Sequence, residues 1–440
     1  MDGSLSVQIS QPKTIQVPIE VCEYIINMLY SGDVAQELDN FAALRSCALV
    51  CRDWSIRAQI RLFHFVHLPD LPSLYRFAAA LRAKHYLGTF VHEVSLIGHT
   101  LHTSASTLSV FPVVFAGMLP NLEELYVQHI AEDETWYPKP TSPSDSKNPA
   151  VAREPKTLPL STLGLDNLTF ASFVEFARLV RALPNLSMLR CNSVQWKTIG
   201  PVPAFMQRAY QLGLSESVFA PNLQALVFLD SSVYGAERLI TACGPQLRRL
   251  DISIPLADTP ETLVPDHESA IDLGACSELQ ELYVVPTWDF LKNTENAQYG
   301  VELLKTMLAS WNPQLPGPTL TIGAYYQSWN FTRQQFADIL HILGAVAEQW
   351  LHMIQSLAHD RVDSGDGPDV RYWVDIVIYD WRAQREWWWS HVVAYFPTWV
   401  KLGRLEMDYY APPAPNYQWA PDPAPDEHTP DPPRDKLAVE

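Results

Sequence analysis

Apolar residues recur every three or four positions between residues 44 and 62, which is the spacing of one face of an α-helix. Arg45, Arg52 and Gln59 recur every seventh position and lie on a different, polar face. The pattern therefore predicts one amphipathic helix through this segment. Its apolar face must be covered by this chain or by another protein, and it consists of Leu44, Cys47, Cys51, Trp54, Ala58 and Leu62.

A second helix is predicted just upstream, within residues 17 to 33. Pro18 suits the first helical position, because its missing N–H loses no partner there, and Glu20 falls in the first turn, where the helix dipole favours an acid. Ser31-Gly32-Asp33 is expected to end the helix. The unit is too small to bury both apolar stripes and should rest on a neighbour or a partner. The stripe of this helix consists of Val21, Ile25, Met28 and Leu29.

These two segments resemble an F-box, most closely that of the F-box-like proteins of mushroom-forming fungi. The resemblance rests on Val17-Pro18-x-Glu20, Ile25 and Leu29, LRSCALVCRDW (44–54) and RLF (61–63). In that family the helices bind the Skp-type adaptor of an SCF ubiquitin ligase, which carries the cullin, and the rest of the chain selects the substrate. The alternative is a helical hairpin that only caps the following domain. The resemblance implies adaptor contacts at Pro18, Ile25, Leu29, Leu44, Cys47, Val50, Cys51 and Trp54.

Beyond residue 66 a short sequence template recurs. It consists of three apolar residues, of which the first two are separated by two residues and the last two by one. Leucine-rich repeats use this spacing with periods of about 20–29 residues, whereas the intervals here are mostly longer and uneven. The segments between copies, such as residues 170–186 and 234–244, have helical spacing, so each unit predicts a strand, a loop and a helix. The copies begin at Val91, Leu122, Leu160, Leu186, Leu223, Leu247, Leu279 and Leu402.

These patterns predict a small all-α F-box over residues 15–66, followed by an irregular leucine-rich-repeat-like α/β solenoid over residues 67–410. Such units stack with a parallel sheet inside and helices outside. The alternative is an irregular α/β domain whose leucine-rich strands do not form one continuous sheet. Residues 1–14 and the Pro- and Asp-rich residues 411–440 are expected to be disordered.

The last third of the chain departs from the template. Residues 331–359 predict one long helix, and residues 371–380 alternate like a buried strand. Trp387, Trp388 and Trp389 cannot all face one core on a helix, so at least one of them is expected to be exposed. That aromatic patch is either a partner contact or part of a cap over the last repeats.

Composition narrows the range of partners. The 440 residues carry a net charge of -18, which repels phosphate backbones, so no nucleic-acid partner is expected. No apolar run is long enough to span a bilayer, and the polar N-terminus shows no secretory signal. Six scattered cysteines, mostly in apolar surroundings, favour reduced thiols in the cytoplasm or nucleus.

Candidate catalytic residues are scarce. Asp266, His267 and Glu268 are adjacent on a predicted loop, where neighbouring side chains point apart and seldom share an ion. Residues 363–367 contain glycine but lack the lysine of a phosphate loop. Cys47 and Cys51 have no histidine nearby to complete a metal site. We therefore predict no enzyme activity, no metal and no cofactor.

The remaining candidates are surface residues of the predicted strands. Arg248 and Arg249 are adjacent within a repeat and are candidates for anchoring an acidic or phosphorylated substrate. The alternative is that they pair with Asp251, Glu278 or Glu281 and only stabilise the fold. The candidate substrate-binding residues, which an ordinary solvated sheet face explains equally well, are Glu123, Glu124, Tyr126, Arg248, Arg249, Asp251, Glu281 and Tyr283.

The combined hypothesis is a substrate-recognition adaptor of an SCF-type ubiquitin ligase, which binds an unidentified protein and performs no chemistry itself. The alternative is a scaffold protein that keeps the F-box fold without the ligase.

Overall fold

The structure is a computed structural model. It describes residues 18–29, 34–97, 107–115, 117–128, 158–198, 206, 219–231, 233–254, 271–287, 294–311, 318–323, 333–362, 372–379 and 385–410. The expected disordered ends, Asp266 to Glu268 and residues 363–367 lie outside these ranges.

Helices and strands alternate along most of the described chain. The helices are α1 (Ile19–Met28), α2 (Val34–Cys47), α3 (Arg52–His64), α4 (Leu71–Ala83), α5 (Thr107–Phe115), α6 (Phe173–Arg181), α7 (Val233–Cys243), α8 (Thr294–Ser310), α9 (Arg333–Val362), α10 (Arg385–Tyr395) and α11 (Pro397–Lys401), with 3-10 turns at His85–Phe90 and Gly244–Gln246. The strands are β1 (Phe65–Leu68), β2 (Glu93–Ile97), β3 (Glu124–Gln128), β4 (Thr162–Asp166), β5 (Thr169–Ser172), β6 (Met188–Asn192), β7 (Gln195–Thr198), β8 (Ala225–Leu229), β9 (Arg249–Ile254), β10 (Glu281–Pro286), β11 (Thr319–Gly323), β12 (Trp373–Tyr379) and β13 (Leu405–Tyr410).

The first three helices share a small core of their own. Ile26 of α1, Leu44 of α2 and Ala58 of α3 are buried together. The prediction of one helix through residues 44 to 62 is wrong, because a turn at 48–51 separates α2 from α3. Cys51 has an extended backbone (φ -158°, ψ 175°) and is exposed rather than buried. The apolar spacing nevertheless persists across the turn, because the two helices pack against each other.

One parallel sheet of 11 strands dominates the described chain. Its order is β1-β2-β3-β4-β6-β8-β9-β10-β11-β12-β13, and β5 and β7 form a separate pair. The prediction that the template segments lie side by side in parallel is confirmed. The register aligns the template leucines in one buried row, which runs through Leu125, Leu163, Leu189, Leu226, Leu250 and Leu282.

The predicted fold class, an all-α F-box followed by an irregular repeat solenoid, is wrong. The described chain is an α/β fold built on one continuous 11-stranded sheet, and this also excludes the alternative of interrupted strands. Two physical reasons explain the error. Helix α3 ends at His64 and β1 begins at Phe65, so no linker separates the helices from the sheet. Strands β11 and β12 need only alternating apolar residues to continue the register, not the leucine template.

The core lies on one face of the sheet. Inward residues of the strands form a single buried cluster with the apolar sides of α4 to α11. Consecutive strands are neighbours in the sheet, and right-handed connections between them return on the same side. We call the opposite face, which carries Tyr126, Arg249 and Tyr283, the polar face. None of the described residues on it belongs to the main core.

Local signals account for several element ends. The side chain of Asp70 accepts a hydrogen bond from the N–H of Ser73 (2.7 Å) and starts α4. Asn167, Ser193 and Asp230 follow β4, β6 and β8 with φ of 54°, 53° and 48°. This left-handed backbone is tolerated best by short polar residues, so three strands end in the same kind of turn.

One prediction for the C-terminal third, the exposure of at least one of its three adjacent tryptophans, is confirmed. Trp388 is buried and Trp389 is exposed, which confirms that at least one of the three tryptophans reaches the surface. Among the described residues, no helix has the length and apolar character needed to cross a membrane.

Candidate functional site

Helix α1 has two apolar sides. Cys22 and Ile26 face the small core, whereas a second stripe is exposed to solvent. At about 100° per residue, that stripe spans roughly 100° of the helix surface. Val21, Ile25 and Met28, three residues of the stripe that the sequence predicts to rest on a neighbour or a partner, are exposed in the described chain. The exposed α1 stripe consists of Val21, Tyr24, Ile25 and Met28.

A pair of hydrogen bonds fixes which side of α1 faces outward. The Oδ1 atom of Asn27 accepts from the Nε atoms of Arg57 (2.9 Å) and Arg61 (3.0 Å) on α3. Asn27 lies between Ile26, which is buried, and Met28, which is 65 % exposed. Because both arginines hold Asn27 against α3, the α1 stripe is held away from it.

The turn between α2 and α3 exposes further apolar residues. Leu49 is 88 % exposed and Val50 is 61 % exposed. Most of the exposed large apolar side chains in the described chain belong to residues 19–56, and the others are scattered over later elements. We call this set the N-terminal apolar surface, and it consists of Ile19, Val21, Tyr24, Ile25, Met28, Leu49, Val50 and Ile56.

The residues implied by the F-box resemblance divide into two groups. Pro18, Ile25, Val50 and Cys51 are exposed, so a partner can reach them. Leu44 is only 1 % exposed and belongs to the small core. The other three, Leu29, Cys47 and Trp54, are half-buried around that core.

Several exposed residues were not predicted as contacts, namely Val21, Tyr24, Met28, Leu49 and Ile56. For α1 the signal was present in the sequence, since Cys22 and Ile26 form one stripe and Val21, Tyr24, Ile25 and Met28 form another at a different angle. For Leu49 there was no signal, because its exposure depends on the unexpected turn.

Six of the eight candidate substrate-binding residues share the polar face. Glu124, Arg249 and Glu281 lie in one row across the sheet. Tyr126, Asp251 and Tyr283 lie in the next row. Three strands separate β3 from β9, so the β3 residues lie about 19 Å from those of β9. The candidates therefore form two groups rather than one.

Glu123 and Arg248 lie outside these rows, immediately before β3 and β9. Glu123 is paired with His92 (3.2 Å) and Arg248 with Glu278 (3.6 Å). Arg248 lies before the first residue of β9, and its backbone N–H and that of Arg249 both donate to the carbonyl oxygen of Gln224, at 2.8 and 3.0 Å. That both arginines reach one face stays a prediction.

Arg249 is engaged within the sheet. Its Nε and Nη2 atoms donate to both carboxylate oxygens of Asp251, at 2.8 and 2.9 Å, and Nη1 lies 3.6 Å from Glu281. Asp251 is fully buried, so the guanidinium offsets the cost of burying its charge. This geometry matches the structural alternative for Arg249, in which it stabilises the fold.

Tyrosines lie across glycines on the polar face. The ring of Tyr126 covers Gly164, and the hydroxyl of Tyr283 lies over Gly323, where in each case a Cβ would collide. Burial, followed by the hydrogen bond to Glu124, raises the pKa of Tyr126. Its hydroxyl therefore remains a neutral donor.

The polar face is acidic near the last two strands. Asp375 on β12 is the register partner of Glu406 on β13, and Asp408 follows two residues later. Burial, then the charges of Asp408 and Glu406, raise the pKa of Asp375 to about 6. Its Oδ1 atom is buried without a hydrogen-bond partner. In the described ranges no group of three or more His, Cys, Asp or Glu residues could hold a metal ion.

No protein-family model matches this chain, and no curated protein matches it. The F-box resemblance therefore rests on the residues of the sequence. What the structure adds is the location of the apolar side chains that a partner could cover.

Proposed function

We propose that the protein is a substrate-recognition adaptor of an SCF-type ubiquitin ligase. In this proposal the N-terminal apolar surface binds a Skp-type adaptor, which links the chain to a cullin, and the polar face of the sheet binds the substrate protein. The role places the protein in the cytoplasm or nucleus. The observation that supports it is the α1 stripe, which the described residues leave uncovered although α1 is already packed on its other side.

The energetics favour a partner on this surface. Fully burying a large apolar side chain contributes about 1.5–3 kcal/mol, and the four stripe residues are roughly half exposed. Covering them would therefore contribute about 1 kcal/mol each, before the costs of association. Leu49 and Val50 add a second apolar point of contact on the turn after α2.

A binding measurement tests the proposal. The purified chain is titrated with a purified fungal Skp-type adaptor in a calorimeter, alongside the double variant Tyr24→Ser/Met28→Ser. Both side chains are 65 % exposed, so the variant should keep its melting temperature while losing at least about tenfold in affinity. Val113→Ser, which alters an apolar residue on α5 that is 79 % exposed, is the control and should bind normally.

Two outcomes would contradict the proposal. The first is absence of binding by the unaltered chain, and the second is equal binding by the double variant and the unaltered chain. Binding of the adaptor without recruitment of a cullin would instead favour the scaffold alternative. Leu44 is unsuitable for this test, because its replacement would damage the small core.

A further inference from the structure

Two histidine rings stack where the N-terminal helices meet the sheet. His64 is the last residue of α3, and His92 immediately precedes β2. Their ring centroids are 4.8 Å apart, with planes inclined by only 15°. The backbone N–H of His92 also donates to the carbonyl oxygen of His64 (3.0 Å). The pair therefore ties the end of α3 to the second strand.

Each ring also faces a carboxylate. The Nδ1 atom of His64 is 3.6 Å from Oε1 of Glu93, and Nδ1 of His92 is 3.2 Å from Oε1 of Glu123. Arg61 of α3 and Glu124 of β3 are the other charged groups that act on His64. The carboxylates of Glu123 and Glu124 favour a proton on His64, whereas Arg61 and the His92 ring oppose it.

The two cores of the molecule meet near this pair. The small core of α1–α3 and the main core are separate clusters in the described chain. Besides the histidines, α3 packs against the 3-10 turn His85–Phe90, and the ring of Phe63 lies 6.4 Å from that of Phe77. The histidine pair is therefore part of the contact that attaches the helices to the sheet.

We propose that the stacked His64–His92 pair is a pH-sensitive lock that holds the N-terminal helices against the sheet while His64 is neutral. The lock weakens when His64 is protonated, because its charge then lies in a half-buried position against the ring of His92 and near Arg61. This inference goes beyond the adaptor role and does not depend on it.

The direction of the pH effect follows from proton linkage. Burial, then the neighbouring His92 and Arg61, lower the pKa of His64 below its usual value of 6.5. The unfolded end of α3 would therefore bind more protons than the folded one in mild acid. The stability that this group contributes is complete above pH 6.5 and is lost as the pH falls through the folded pKa.

Hydrogen exchange of the full chain tests the lock. Exchange is measured by mass spectrometry at pH 7.5 and 5.5, with correction for intrinsic rates. The protection of residues 52–68 should fall by up to about tenfold, the limit for one proton over one pH unit below 6.5. Peptides of β9 and β10 serve as the internal reference and should change less.

Two variants test whether His64 is the responsible ring. His64→Phe keeps the aromatic stack without an ionisable ring at this position and should largely abolish the loss of protection. His67 on β1 also has a pKa lowered by burial, so His67→Phe is the matched control and should leave most of the loss in place. An unchanged loss in His64→Phe, or its disappearance in His67→Phe, would overturn the proposal.

A measurement on the unaltered chain covers the case in which His64→Phe fails to fold. The ring resonances of His64, followed by NMR between pH 8 and 5, report its titration. Titration of His64 at or above pH 6.5 would overturn the lock, and titration below that value supports it.

Discussion

Asp251 and Asp375 lie in the same row of the polar face, yet their surroundings differ. Asp251 is fully buried and accepts both hydrogen bonds of Arg249, whereas Asp375 faces Glu406 and has an unpartnered buried oxygen. In the sequence, both residues are simply acids within segments of alternating apolar residues. The difference could not be predicted from it, because the neighbours of Asp375 belong to a strand about 30 residues further along the chain.

Opposite effects are expected from the same chemical change at these two positions. Asp375→Asn should stabilise the protein at pH 7.5 by about 1 kcal/mol after allowance for solvent screening. Asp251→Asn should destabilise it by about 1–2 kcal/mol, because an amide can accept only one of the two hydrogen bonds that Arg249 donates. Urea unfolding measures both changes.

The pH dependence provides the control for Asp375. Its folded pKa of about 6 lies above the usual 3.8, so its burial costs stability above pH 6 and the cost disappears as the pH falls through 6 toward 3.8. The gain from Asp375→Asn should vanish near pH 4. A gain that is the same at both pH values would show that charge is not its cause.

At the scale of elements, apolar spacing predicted the strands well and the N-terminal helices less well. A strand has two faces, so alternation identifies its buried side, and the leucines of β3 to β10 lie in the core as expected. In a short helix with two apolar stripes, spacing alone does not identify the buried side. Helix α1 buries the stripe of Cys22 and Ile26 and exposes the other one. Residues 48–51 contain neither Gly nor Pro, so no local signal marks the break between α2 and α3.

The orientation of α1 can be tested on two adjacent isoleucines. Ile26→Ala removes a fully buried side chain and should cost about 2–4 kcal/mol. Ile25→Ala removes a half-exposed one and should change stability by less than about 0.5 kcal/mol. Helix content followed during thermal unfolding measures both. A larger loss for Ile25→Ala than for Ile26→Ala would show that α1 is turned the other way.

At the scale of the whole molecule, the described chain combines one extended core with one small core. The main cluster runs from Leu68 to Met407, and the second contains only Ile26, Leu44 and Ala58. The leucine template predicted parallel pairing, because burial on one face of a sheet requires that spacing. It did not predict that β1 follows α3 without a linker, since that depends on how the helices pack.

Separate cores imply that the two parts lose structure separately. Leu44→Ala should cost about 2–5 kcal/mol, which is comparable to the stability that so small a core can supply. Residues 19–62 should then lose protection from hydrogen exchange, while strands β2 to β12 keep theirs. Leu226→Ala, which removes a buried leucine from the middle of the sheet, is the matched control and should weaken β6, β8 and β9 while leaving α1 to α3 protected. If Leu44→Ala also exposes the central strands, the helices and the sheet unfold as one unit, and their attachment is stronger than the separation of the two cores indicates.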